Sequence, residues 1–256
     1  MSTGPGCMID KAARIFKDRL LAPMVAAIPA AVTPTMITLL SLPFGLAAAV
    51  LAGLGLTGGA VALFLVNRIL DGLDGLVARS RNSQSDLGGY LDIVVDFVVY
   101  AAIPVGVWWG ATAGPGAIGG EGMLFPGLPD AAETLIGRGT PAWPLVLLLS
   151  VFYVNAASWM YLSAIIEKRR GASTGTHTDS RPERHPDESG TRSGEYGSTT
   201  SVAMPAGLIE GAETVVFYLL FLLLPRWWAP LFLTMTLATA VGSVQRVVWA
   251  ARTLRE

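Results

Sequence analysis

"DGLDGLVARSRNSQSDLGGYLDIVVD", residues 71–96, places five aspartates inside an otherwise apolar chain. Four of them fall at helical spacings: Asp71 and Asp74 three apart, Asp92 and Asp96 four apart. Residues at i, i+3, i+4 and i+7 share one face of a helix. Asp71, Asp74, Gly75 and Ala78 therefore line up on one helix, and Gly88, Asp92 and Asp96 on the next. The polar linker from Ser80 to Leu87 is short enough to join two antiparallel helices. Two acidic faces can then meet around one pocket. What that pocket is for depends on the medium the helices sit in.

Composition indicates a membrane. The 256 residues are 52% hydrophobic and only 14% charged, with a mean hydropathy of +0.52. Soluble domains carry about 25% charged residues. A net charge of -1 gives no electrostatic basis for a nucleic-acid partner. The single cysteine, Cys7, excludes an internal disulfide and a cysteine-based metal site. Both histidines, His177 and His185, lie in one polar segment, so chemistry inside the membrane must work without imidazole.

A helix that spans a bilayer needs about 20 mostly apolar residues. Six stretches qualify by eye, at roughly 35–54, 57–78, 88–112, 142–166, 206–224 and 227–249. The expected fold is thus all-α, an integral membrane protein of six transmembrane helices in one domain, 34–256. Residues 1–33 read as a lead-in with an amphipathic interfacial helix. There Met8, Ile9, Ala12, Ile15 and Phe16 keep a helical period, while Lys11, Arg14, Lys17 and Asp18 lie mostly opposite. No short apolar core leads to a small-residue cleavage site, which argues against a cleaved signal peptide.

Basic residues set the expected orientation. Lys11, Arg14, Lys17 and Arg19 precede the first span, Arg79 and Arg81 follow the second, and Lys168, Arg169 and Arg170 follow the fourth. The opposite side keeps only Arg138 and Arg226. The positive-inside rule puts both termini, and the 71–96 stretch, on the cytoplasmic side of a plasma or inner membrane. Residues 113–141 read as an irregular outer loop rich in Gly and Pro. Residues 170–203 are polar and nearly free of large apolar side chains, the composition of a disordered cytoplasmic loop.

The aspartates carry the chemistry. A carboxylate within a span costs about 2.5–3.5 kcal/mol, and four facing one another also repel. Protonation or bound cations can relieve this. An oxygen-only cluster without Cys or His suits a hard divalent ion such as Mg2+ or Mn2+. Four carboxylates can hold two ions, as in sites that displace oxygen at phosphorus. Intramembrane acids also build cation pathways and proton relays, so a cation-coupled carrier is the competing reading. Gly75, Ala78 and Gly88 admit either close helix packing or a bulky ligand.

The stretch resembles the signature of the CDP-alcohol phosphotransferases, D-x2-D-G-x2-A-R-x8-G-x3-D-x3-D. Asp71, Asp74, Gly75, Ala78, Arg79, Gly88, Asp92 and Asp96 fill every fixed position. The six-span layout agrees with that family's fold. The resemblance implies a transferase that binds a CDP-linked donor on two divalent ions and releases CMP as an alcohol attacks the phosphorus remote from cytidine. It implies that Asp71, Asp74, Asp92 and Asp96 ligate metal, with Asp96 also general base on the acceptor. It further implies donor contacts from Asp74, Gly75, Ala78, Arg79 and Gly88, and a homodimer. The donor is expected to be CDP-diacylglycerol, because no spans beyond six are seen. CDP-choline or CDP-ethanolamine with diacylglycerol as acceptor would use the same signature.

Residues around the signature allow two readings each. "VTPTMITLL", 32–40, is similar to the family's frequent T-P-N-x-I/V-T start, with Thr35 where Asn is common. Thr38 then lies near the donor, or these residues simply start a helix. Arg68, one turn before Asp71, either balances the acidic cluster or snorkels to the interface. Glu210 and Glu213 either complement a helix dipole or line the acceptor pocket. Asn155 either bonds between helices or contacts substrate. No Lys or Arg lies between Arg192 and Arg226, so the expected acceptor carries no phosphate: inositol, serine, ethanolamine or choline. Trp108, Trp109, Trp227 and Trp228 read as interface anchors. Asp86, outside the pattern, is expected to be solvated or to cap the third span.

Overall fold

The protein is seen in a computed structural model that describes residues 21–113, 142–174 and 211–254. Among these residues the secondary structure is helical throughout. In chain order the helices are α1 (Pro34–Gly53), α2 (Thr57–Ser80), α3 (Asp86–Thr112), α4 (Trp143–Thr174), α5 (Gly211–Leu223) and α6 (Trp228–Thr253), with one 3-10 turn at Pro225–Trp227 before α6. Four of them are long and apolar enough to cross a membrane: α1, α3, α4 as far as Arg169, and α6 with its preceding turn. The chain is an integral membrane protein. α2 has the length, with 24 residues, but concentrates Arg68, Asp71, Asp74 and Arg79 in its second half. The described part of α5 is apolar and 13 residues long.

The element ends follow local chemistry. Thr33 caps α1 by accepting from the Met36 N–H at 3.3 Å, and Pro34 sits in the first turn, where a missing N–H costs nothing. Gly55 turns the chain at φ 74° between α1 and α2. Ser85, not Asp86, caps α3, its hydroxyl accepting from the Gly88 N–H at 3.1 Å. Asp86 is the first residue of the helix and is exposed. α4 runs on to Thr174, past the expected end at 166 and into the stretch read as a disordered loop. The rest of that loop, the outer loop from 114 and residues 1–20 lie outside the described residues. So does most of the amphipathic helix; a helical stretch at 21–27 is described.

α1 is the centre of the N-terminal half. It packs closely on both α2 and α3, whereas those two scarcely approach each other along their backbones. Small residues make this possible. A Cβ on Gly106 would run into the Ala49 backbone carbonyl, and one on Gly110 into that of Ala52. A Cβ on Gly45 would strike the Val99 side chain and come within 3.1 Å of Asn67 Nδ2, so both neighbours converge there. Lipid is as apolar as the helix faces and gives no hydrophobic drive between them, so close backbone approach supplies the van der Waals attraction. The outcome is a cleft between α2 and α3 whose wall is α1.

A second cluster anchors the entry to α1. Leu21, Ile37, Leu73 and Val77 are buried, with Val25, Ile28 and Val32 packed on them. Arg81, just past α2, donates to the carbonyls of Ile28 (2.7 Å), Val32 (2.8 Å) and Pro29 (3.3 Å). At the far end, Phe64, Tyr218, Phe221, Phe232 and Trp228 form an aromatic core. Trp228 is therefore a core residue rather than an interface anchor: its ring packs edge-on against Phe232 at 5.6 Å. Trp109 and Trp227 are exposed, as anchors would be. α4 packs chiefly on α6.

Candidate active site

The four aspartates of the signature lie at the cleft between α2 and α3. Asp74 is buried at 5% exposure, and its Oδ2 accepts from the Thr38 hydroxyl of α1 at 2.5 Å. Its Oδ1 accepts from the Gly75 N–H. Asp71, Asp92 and Asp96 are half-buried. On the other side of the cleft, Arg68 Nη2 bonds Asp96 Oδ1 at 2.7 Å, and Nη1 lies 3.7 Å from Asp71 Oδ2. Arg68 thus joins the first and last acids of the pattern across the gap between helices. The side chain does not snorkel away: 9% of it is exposed. Among the described residues no three acidic or Cys/His groups converge on one point as ready metal ligands. Arg68 draws Asp71 and Asp96 one way, while Thr38 and Gly75 hold Asp74 another.

Beside the aspartates lies a cavity of about 190 Å3, with hydroxyl, amide and charged side chains among its lining residues. Its walls include Thr38, Asp74, Gly75, Ala78, Arg79, Gly88 and Asp92, which are the donor-side residues read from the signature together with one acid. The two glycines face it for steric reasons. A Cβ on Gly75 would come within 3.2 Å of Arg79 Nη1, and one on Gly88 within 3.0 Å of Ser85 Oγ and 3.6 Å of Thr35 Oγ1. Thr35 lines the cavity as well, so "VTPTMITLL" both starts a helix and presents two hydroxyls.

Sequence reasoning passed over the turn. Ser83, Gln84 and Ser85 form the cavity's outer wall. Asn82 precedes them with φ 50°, a left-handed conformation that Asn tolerates better than most residues. A run of Asn, Ser and Gln between two motif helices was the available signal. It reads as an ordinary turn until the cavity is seen.

The expected acceptor residues lie elsewhere. Glu213 is half-buried in the first turn of α5, and Glu210 lies outside the described residues. Neither Glu213 nor Asn155 lines the donor cavity. Asn155 joins α4 to α6: its Oδ1 lies 2.8 Å from Arg246 Nη1 and 3.0 Å from Ser243 Oγ. Arg246 is buried at 8% exposure, a cation in the apolar α6 that a count over 192–226 could not include. A larger cavity, about 490 Å3 and almost wholly apolar, opens between α3, α4 and α5, with Phe97, Tyr100, Phe152, Met160 and Tyr218 in its walls.

Known proteins resemble this chain over much of its length. The chain is 29% identical over 198 residues to "Inner membrane protein YnjF" of Escherichia coli (strain K12), covering 77% of this chain and 73% of that protein. It is 34% identical over 89 residues to "Bifunctional IPC transferase and DIPP synthase" of Thermococcus kodakarensis, covering 30% of this chain and 20% of that protein. Among solved structures, the CDP-DAG-bound phosphatidylinositol phosphate synthase PgsA1 of Mycobacterium tuberculosis superposes with a TM-score of 0.49 at 17% identity, covering 90% of this chain and 91% of that one. The family model for CDP-alcohol phosphatidyltransferase matches residues 31–174, more than half the chain and the whole of the cleft. The chain belongs to the CDP-alcohol phosphatidyltransferase family and is a transferase of substituted phosphate groups.

Proposed function

We propose that the protein moves a phosphatidyl group from CDP-diacylglycerol to a small alcohol and releases CMP. The observation that carries this is the smaller cavity: residues of the signature from two helices, with Thr38 of a third, line one space together with Asp74 and Asp92. In this reading Thr38, Gly75, Ala78, Arg79 and Gly88 seat the cytidine and its phosphates. The acceptor oxygen bonds to the phosphorus that bears diacylglycerol, and the bond from that phosphorus to the CMP oxygen breaks. Asp96 takes the acceptor's proton, and CMP leaves with the bonding pair.

The donor set fits hard divalent ions, since Asp71, Asp74, Asp92 and Asp96 offer only carboxylate oxygen on facing turns of α2 and α3. These residues would hold two ions, Mg2+ or Mn2+, which when bound neutralise the pyrophosphate and ease alkoxide character at the acceptor. The apolar cavity beside Tyr100 supports a lipid substrate. We further read six spans, α2 and α5 being the two that do not qualify by length and composition on their described residues. Both termini and the cleft face the cytoplasm of a plasma or inner membrane, and the protein is a homodimer.

The acceptor is read as phosphate-free: inositol, serine, ethanolamine or choline, approaching Asp96 past Glu213 and the α4–α6 side. One observation favours a second reading. Arg246 lies against Asn155, so the polar groups of that side include a buried cation that suits an acceptor bearing phosphate. The test is CMP release by the purified protein from CDP-diacylglycerol with Mg2+ or Mn2+ and single alcohols. The expected result is metal-dependent release with one phosphate-free alcohol. Release with inositol phosphate or glycerol phosphate alone selects the second reading. Release only from CDP-choline or CDP-ethanolamine with diacylglycerol reverses donor and acceptor. No release with any of them overturns the proposed reaction.

A further inference from the structure

Arg68 stands outside the signature, yet its guanidinium is engaged on every nitrogen in the cleft. Nε donates to Asn67 Oδ1 at 2.9 Å, and Asn67 is fixed in turn by its Nδ2 donating to the Ser41 carbonyl of α1 at 2.9 Å. Nη1 donates to Tyr100 Oη at 2.9 Å, beside its 3.7 Å approach to Asp71, and Nη2 bonds Asp96. The rings of Phe64 and Tyr100 flank it, their centroids 5.7 and 5.1 Å from the guanidinium carbon. Tyr100 is held from behind, its carbonyl accepting from the Tyr218 hydroxyl at 2.6 Å. All three N-terminal helices and α5 thus fix one positive charge between Asp71 and Asp96. A snorkelling arginine has no such enclosure.

We propose that Arg68 is a positioning residue that sets the divalent-ion affinity of the cleft and aims Asp96. The proposal rests on the two-ion reading above. Its charge offsets one of four carboxylates and repels any cation bound beside them, so it holds affinity below what the acids alone would give. Its planar fork does separate work, fixing Asp96 in a single orientation through a bond that Lys cannot reproduce together with those to Asn67 and Tyr100. Charge and geometry can therefore be separated by two substitutions.

Mn2+ titration of the purified protein, followed by Mn2+ electron paramagnetic resonance, reads the charge. Arg68→Gln is expected to tighten Mn2+ binding by about tenfold or more, from loss of a unit charge a few ångström away in a medium of low dielectric. Arg68→Lys is expected to keep Mn2+ affinity within about twofold. It should also lower the maximal rate of CMP release without changing KM for the donor. Unchanged or weaker Mn2+ binding by a folded Gln variant overturns the proposal. So does a Lys variant with wild-type turnover, or one whose Mn2+ affinity moves with its activity. If the wild type itself binds no Mn2+, the two-ion reading fails and takes the proposal with it. Normal wild-type binding with an unmoved Gln variant overturns the proposal alone.

Discussion

The N-terminal three helices and the C-terminal three solve the same problem differently. α1, α2 and α3 are joined by small residues at their contacts, and their polar groups lie close together in sequence, between Asn67 and Tyr100, with Thr38 and Ser41 added from α1. α4 and α6 are held by Asn155 with Ser243 and Arg246, partners about 90 residues apart in the chain. In the first half, chemistry and packing are written in one short stretch. In the second, the polar contacts exist only after the helices have met. The difference teaches that polar contacts within this membrane protein arise in two ways, on neighbouring turns in the first half and between remote residues in the second.

The sharpest way to break that comparison is at Asp96. Asp96→Asn keeps the size of the side chain but removes the carboxylate that faces Arg68, and with it the proposed base. The rate of CMP release should fall by about 10^3-fold or more, while CDP binding measured by calorimetry largely survives. A loss of only a few-fold would move the base elsewhere and bring the two halves level in importance.

The next effect tests packing. Gly106→Val would drive a branched side chain into the Ala49 carbonyl, where even a Cβ cannot fit. Overpacking costs about 1–3 kcal/mol where neighbours can yield, and backbone yields less than side chains. The variant should lose several degrees of thermal stability in detergent and lose donor binding with it, because α1 carries Thr38 to Asp74. Gly89→Ala is the control: nothing lies within 4 Å of its Cβ position, so it should change stability by no more than about 0.5 kcal/mol.

How much of this was legible beforehand follows from the same contrast. The acids and glycines of the cleft were readable because a helix repeats every 3.6 residues, so spacing alone puts Asp71 with Asp74 and Asp92 with Asp96. Thr38 was readable as near the donor only through the resemblance; its bond to Asp74 on the next helix could not be read from spacing. Arg68 was open between two fates because one residue's neighbours on the facing helix cannot be read from its own helix. Ser83 to Ser85 were missed because a polar turn looks alike whether it faces solvent or a cavity. Arg246 was missed because an apolar helix hides a single arginine, and its partner Asn155 lies far away in the chain. Ser85 rather than Asp86 as the cap shows the usual one-residue uncertainty at a helix start.

The smallest expected effect is the most useful for the half that was hard to read. Asn155→Ala removes the acceptor that Arg246 and Ser243 share, leaving a buried guanidinium with one fewer partner. Loss of a hydrogen bond to a charged group is worth about 1.5–3 kcal/mol, though polar pairs between membrane helices average nearer 0.6 kcal/mol. If α4 and α6 frame the acceptor's approach, this cost should appear as an acceptor KM raised about fivefold, with donor KM and Mn2+ affinity unchanged. Ser243→Ala deletes only the weaker partner, whose hydroxyl also lies 2.9 Å from the Thr239 carbonyl, and should stay within about twofold. The pair of variants separates two roles for one contact. A change in stability without any change in acceptor KM would make Asn155 a clamp between helices. A change in acceptor KM in the Asn155 variant alone would instead make it, through Arg246, part of how the protein chooses its alcohol.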